Sequence, residues 1–253
     1  MALEGLRLAA GTLTVLPSGP IPEIDKRMAA QAMVVAPIAV VPLAAGAVLV
    51  AWGASAVALP ELMVGLLVVT VLGLGSRAMH LDGLADTVDG LGSGWDRKRA
   101  LQVMRLGDIG AMGAVALVIV IGLQAAAIGR VADDLRGAIL VGVVVCASRG
   151  ALTLVCRSGV PAARTDGLGV TVAGSVPWIA TFGTWIVLAI VLGLSQVALQ
   201  GSYAAGVISA LAAVVVVVAL VQWCVRRLGG VTGDVMGASI ELAFTVMIIG
   251  FAI

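Results

Sequence analysis

The sequence predicts an all-α protein, a polytopic integral membrane bundle of about seven transmembrane helices. Three observations carry that expectation. Hydrophobic residues make up 61% of the 253 residues and charged residues only 11%. Several apolar runs reach the roughly 20 residues that cross a bilayer core. The charged residues gather in the breaks between those runs. One transmembrane domain is expected over 1–253, with no soluble appendage longer than a loop. A net charge of +1 gives no electrostatic case for nucleic acid as a partner, and the composition points to the lipid bilayer instead.

In chain order, "MALEGLRLAAGTLTVLPSGPIP" has an acid at Glu4, only a brief apolar run and no basic start, unlike a cleaved signal. It reads as a cytoplasmic segment with an interfacial helix, ending in a turn at Pro17, Pro20 and Pro22. Spans follow near 29–52, 60–79, 109–129, 137–157, 176–199, 203–224 and 235–253. Basic residues favour cytoplasmic loops. Lys26 and Arg27, the group Arg97, Lys98, Arg99 and Arg105, the pair Arg157 and Arg164, and the pair Arg226 and Arg227 all fall on one side of a seven-span chain. The other side has Arg130 and Arg136, diluted by Asp133 and Asp134. The N-terminus is therefore expected in the cytosol and the C-terminus outside. This orientation brings "HLDGLADTVDG" (80–90), "ARTDGLG" (163–169) and "GGVTGDVMGA" (229–238) to the cytosolic face, where they could form one site.

The first of these segments carries the chemistry. On a helix that continues from the second span, Asp82, Asp86 and Asp89 stand at i, i+4 and i+7, a single stripe. Like charges at that spacing repel, and no Lys is interleaved between Arg77 and Arg97. A divalent cation relieves the repulsion, and oxygen-only ligands suit Mg²⁺ or Mn²⁺. The plainer reading is an acidic helix end in water. Gly83 and Gly90 tilt the balance, because they admit a close backbone or ligand where Ala would be the better helix former.

Two further acids belong to the same face. Asp234 follows Gly229, Gly230 and Gly233 where the last span begins, and Glu241 lies seven residues later on the same helical face. An ionisable residue two turns inside a span is a functional candidate, the structural alternative being a pair with the intramembrane Arg149. His80, the only histidine, borders the stripe, where it could contact a phosphate or a leaving group or simply be an interfacial polar residue. Cys146, Cys156 and Cys224 show no metal-ligand or redox spacing and read as packing residues. No phosphate-loop motif occurs, and "GLGSG" is too weak for a dinucleotide fingerprint.

"HLDGLADTVDGL", then "DRKRALQVM", "RTDGLG" and "GGVTGDVMGASIEL" together resemble the cobalamin synthase family, the adenosylcobinamide-GDP ribazoletransferases. The resemblance covers nearly the whole chain. It departs after "ALQVM", where the family carries an acid two residues on and a base two further; here Met104 is followed by Arg105, Leu106, Gly107 and Asp108, and no role is assigned to Asp108. The resemblance implies an Mg²⁺-dependent transfer of adenosylcobinamide phosphate from adenosylcobinamide-GDP to α-ribazole or its 5′-phosphate, with release of GMP. It also implies a bacterial cytoplasmic (inner) membrane location with the site facing the cytosol, and leaves a homo-oligomer open. In roles, Asp82, Asp86 and Asp89 become metal ligands, and Asp234 completes the site or acts as base. Arg149, Arg164, Asp166, His80 and Glu241 become substrate-side residues. Two rivals stand beside this reading. A CDP-alcohol-type phosphotransferase shares the metal logic but needs a longer aspartate array than "DTVDGLGSGWDRKRA" supplies. An ion-coupled transporter would place its acids near the midplane in broken helices.

Overall fold

The computed structural model describes residues 2–19 and 24–253. A first helix, α1 (Ala2–Leu13), packs along α2 (Lys26–Ala39), whose start is capped by Asp25 accepting the Met28 N–H at 2.6 Å. The helix expected at the N-terminus is therefore present; Pro20 and Pro22 of the expected turn lie outside the described residues. A break at Val40, next to Pro42, separates α2 from α3 (Val41–Ala56). The two form one apolar span over Lys26–Ala56, longer than the expected 29–52.

The second span departs from expectation. After α4 (Glu61–Gly75) the chain does not run straight on into the acidic stripe; α5 (Met79–Gly92) leaves at 91°. Arg77 and Ala78 make the corner with φ of 58° and 54°. Left-handed backbone costs an L-residue about 1–2 kcal/mol, so tertiary contacts must hold it. One such contact is Arg77, whose Nη2 donates to the Gly11 carbonyl at 2.8 Å, and another is the Val15 N–H on the Gly75 carbonyl at 2.8 Å. Gly75 stands just before this corner, but neither of the two left-handed positions is a glycine.

A short helix α6 (Arg97–Val103) is capped by Asp96 and leads to α7 (Ala111–Val131). Then α8 (Leu135–Ser148), capped by Asp134, and α9 (Ala151–Val155) form the most enclosed span of the bundle. After α10 (Leu168–Val172), three long helices complete the chain: α11 (Trp178–Ala198), α12 (Tyr203–Leu228) and α13 (Gly233–Ala252). Among the described residues six spans are long and apolar enough to cross a bilayer as continuous or gently broken helices, and the α4–α5 pair, bent by 91°, counts as a seventh only if its two helices are taken as one span. The protein is thus a multi-pass membrane bundle. Large apolar residues such as Val118, Phe182, Ile186, Leu211 and Val215 are exposed on the flanks, as lipid-facing surfaces require.

One end of the bundle is closed by loops. Ala163 N–H donates to the Val231 carbonyl and Val231 N–H to the Pro161 carbonyl, both at 2.9 Å. Arg97 Nη2 donates to the Ala163 carbonyl at 3.1 Å, and Arg164 Nη2 to the Leu101 carbonyl at 3.2 Å. Those bonds lock α6, the 157–176 loop and the 229–232 turn onto one another, around the end where α5 crosses α13.

Candidate active site

Two glycines set the crossing of α5 and α13. A Cβ at Gly83 would come within 2.7 Å of the Asp234 carbonyl oxygen, and one at Gly237 within 3.1 Å of His80 Cα. Only glycine lets the two backbones approach this closely, as in small-residue packing between membrane helices. The approach places the acidic stripe of α5 beside the N-terminus of α13, about 145 residues away in the chain.

The result is a cavity of about 300 Å³. His80, Asp82, Arg164, Asp166 and Asp234 all line it, so five of the residues singled out from the sequence come together. Asp82 is exposed and Asp234 partly so; Arg164 Nη2 stands 3.8 Å from Asp234 Oδ2. Thr232 caps α13 by accepting the Val235 N–H, and its hydroxyl donates to Asp234 Oδ2 at 3.0 Å. Asp86 is buried just behind this wall, within the field of the Asp82, Asp234 and Asp89 carboxylates and of the Arg164 guanidinium. Four acids with one guanidinium among them leave excess negative charge at the α5–α13 crossing.

Asp89, at the far end of the stripe, is differently employed. Its Oδ2 accepts the Gly110 N–H at 2.7 Å and its Oδ1 the Gly113 N–H at 2.9 Å. The carboxylate thus sits on the N-terminus of α7, where amide donors and the helix dipole favour an anion. A side chain at either glycine would collide with it.

Glu241 and Arg149 do not line the cavity. They share a small internal void with Gln124, deeper in the bundle. Gln124 Nε2 donates to Glu241 Oε2 at 2.8 Å and to Thr245 Oγ1 at 3.0 Å. His80 joins the two regions: its Nδ1 lies 3.9 Å from Glu241 Oε1, while its buried Nε2 has no partner among the described residues. Arg149 Nη1 donates to the Val145 carbonyl and to Ser148 Oγ, both at 2.8 Å.

Next to the cavity lies a second cleft of about 370 Å³, lined by Lys98, Gln102, Arg105, Arg164 and Asp166 among others. Arg105 Nη2 meets Asp166 there at 2.6 and 2.8 Å. Thr232 was not singled out from the sequence as a site residue, although a Thr just before an apolar run is a helix-start signal. Lys98 and Arg105 entered only as topology markers, because nothing in a basic loop reveals which side chains turn inward.

The cobalamin-5-phosphate synthase family model matches residues 5–252. This chain belongs to that family. Among its relatives, the adenosylcobinamide-GDP ribazoletransferase of Nocardioides sp. is 45% identical over 98% of both chains. That of Frankia casuarinae is 37% identical, covering 100% of this chain and 96% of its own. The Bradyrhizobium diazoefficiens protein of the same name is 31% identical over 93% of this chain and 88% of its own. No solved structure matches. In this member of the cobalamin-5-phosphate synthase family, the two clefts adjoin at Arg164 and Asp166, beside the α5–α13 crossing.

Proposed function

We propose that the chain is an adenosylcobinamide-GDP ribazoletransferase, working in cobalamin biosynthesis at the bacterial cytoplasmic membrane with its cavity end toward the cytosol. The observation that carries this reading is the cavity itself: three segments remote in sequence bring Asp82, Arg164 and Asp234 to one point at the end of a membrane bundle. The names of the relatives supply the reaction class.

The acceptor is α-ribazole or its 5′-phosphate, the donor adenosylcobinamide-GDP. An acceptor hydroxyl oxygen attacks the phosphorus that bears cobinamide. The bond from that phosphorus to the bridging oxygen breaks, and GMP leaves with the bonding electrons. The hydroxyl proton passes to Asp234, the partly exposed carboxylate whose other contacts are Thr232 and Arg164. Arg164 steadies charge on the transferred phosphoryl group, as preorganised donors do in such sites. His80 presents its unpartnered Nε2 to the substrate, while Glu241, Gln124 and Arg149 hold the wall behind it.

Among the described residues no three His, Cys, Asp or Glu side chains converge into a ready-made metal site. Mg²⁺ does not need one, since it typically binds through one or two carboxylates, with waters and substrate phosphates completing its shell. Asp82 and Asp86, oxygen donors in a field of excess negative charge, fit that demand, and Asp89 stands third in the stripe with its oxygens already on amides. Bound there, Mg²⁺ would neutralise charge on the substrate's phosphates.

The test is GMP release by the purified protein in lipid nanodiscs, given adenosylcobinamide-GDP and α-ribazole 5′-phosphate. Release is expected with Mg²⁺ and not with a chelator. No release with any benzimidazole nucleoside acceptor overturns the reading, and release unaffected by chelation removes the metal from it.

A further inference from the structure

The two clefts beside Arg164 differ in chemistry. The cavity has an apolar floor of Leu13, Leu152, Met236 and Ile240, all buried, and its ionisable groups come from α5, the 157–176 loop and the start of α13. Its volume of about 300 Å³ is at the lower end of pockets that enclose a drug-sized ligand, roughly 300–1,000 Å³. A nucleoside with a flat aromatic base is of that size, whereas a corrinoid carrying a second nucleotide is several times larger. The adjoining cleft carries three bases to one acid, with Lys98 and Arg164 beside an Arg105 that already holds Asp166, a pair that a phosphate would have to share or displace. Arg164 and Asp166 line both.

Resting on the proposed function, we propose that the acceptor nucleoside occupies the cavity, base inward, and that the donor's nucleotide lies in the basic cleft, with the reacting phosphorus between them at Arg164. Transfer at phosphorus places the attacking and leaving oxygens roughly in line on opposite sides of the phosphorus. Two compartments meeting at one guanidinium provide those opposite sides. The acceptor hydroxyl approaches from the Asp234 wall, GMP departs toward Lys98 and Arg105, and the corrinoid stays outside, over the mouth. The benzimidazole would rest on Leu152 and Ile240, which explains why a cavity built for phosphate chemistry has so apolar a floor.

The partition is read by two-substrate kinetics on variants that fill one compartment or discharge the other. Ile240→Trp fills the floor, and Val170→Trp fills the rim from a residue that is 40% exposed and so carries little of the fold. Either should raise the KM for the acceptor at least about tenfold with the donor KM little changed, and Lys98→Ala with Arg105→Ala should do the reverse. Equilibrium dialysis of free dimethylbenzimidazole against the intact protein supplies a readout independent of turnover, with binding expected in the parent and lost in Val170→Trp. A donor KM that rises in Val170→Trp while the acceptor KM stays constant overturns the partition. Should the parent release no GMP at all, the functional reading fails by itself, and the dialysis then decides the cavity: base binding lost in Val170→Trp supports it, and binding unchanged overturns it.

Discussion

The mouth of the cavity and the polar network beneath it are built from the same residue types, a few carboxylates with an arginine close by. At the mouth, Asp82 is exposed, Asp234 has Thr232 and a 3.8 Å contact to Arg164, and lone pairs remain free. Beneath it, Glu241, Gln124, Thr245 and Arg149 are enclosed in the bundle and bonded to one another or to backbone. Asp89 belongs with the second group although it shares a helix face with Asp82 and Asp86, since both of its oxygens are taken by the start of α7. The lesson is that counting acids does not locate a reactive site in a membrane protein. What separates the two regions is how far the carboxylate oxygens are already engaged by the fold, both of them in Asp89 and one in Glu241.

The largest effect should come from the acids at the α5–α13 crossing. Asp86→Asn keeps shape but removes charge from the α5–α13 crossing. GMP release by the purified variant should fall by roughly 10²–10³-fold, the scale of losing one electrostatic contact to a transition state, while membrane abundance is unchanged. Near-parental turnover at limiting Mg²⁺ would break the comparison at its stronger side.

A second experiment moves the wall without touching an acid. Gly83→Ala introduces a methyl where the Asp234 carbonyl stands 2.7 Å away, so α5 and α13 must separate. Misplacement of about 1 Å can cost on the order of 10²-fold in rate, and that loss in kcat is expected with the protein still inserted. Activity within threefold of the parent would mean that the close crossing serves packing alone.

Smaller again in turnover are changes to the acids engaged by the fold. Asp89→Asn should lower thermal stability, with about 1–2 kcal/mol lost from the α7 cap, and leave kcat per folded molecule within about tenfold. Glu241→Gln should act the same way: Gln124 keeps an oxygen acceptor, but Arg149 loses a nearby buried countercharge, so abundance and melting temperature fall more than kcat. A Glu241→Gln protein of normal stability and abolished turnover would place the buried network in the reaction and erase the contrast.

Much of the fold was legible because bilayer spans leave a strong signal: six of the seven expected runs match continuous or gently broken apolar helices, and the seventh is the bent α4–α5 pair. Five candidates drawn from the sequence, His80, Asp82, Arg164, Asp166 and Asp234, line one cavity, and they were legible because ionisable residues are expensive in this composition and attract notice. The 91° corner was not, because Ser76, Arg77 and Ala78 carry no breaker; the corner is held by α1 through Gly11. Nor was the retirement of Asp89, which depends on Gly110 and Gly113 arriving from the next helix.

The chain by itself therefore determined the apolar spans, the family, and the stripe that puts Asp82, Asp86 and Asp89 on one helical face, because each of these is a matter of local order and periodicity. Only the tertiary structure decided which of those carboxylates stay available. That choice rests on contacts between segments far apart in sequence: Gly83 against Asp234, Asp89 against Gly110 and Gly113, and Arg164 held between α6 and α13. A lone pair is free or filled according to what is packed next to it, and periodicity along one helix carries no record of its neighbours.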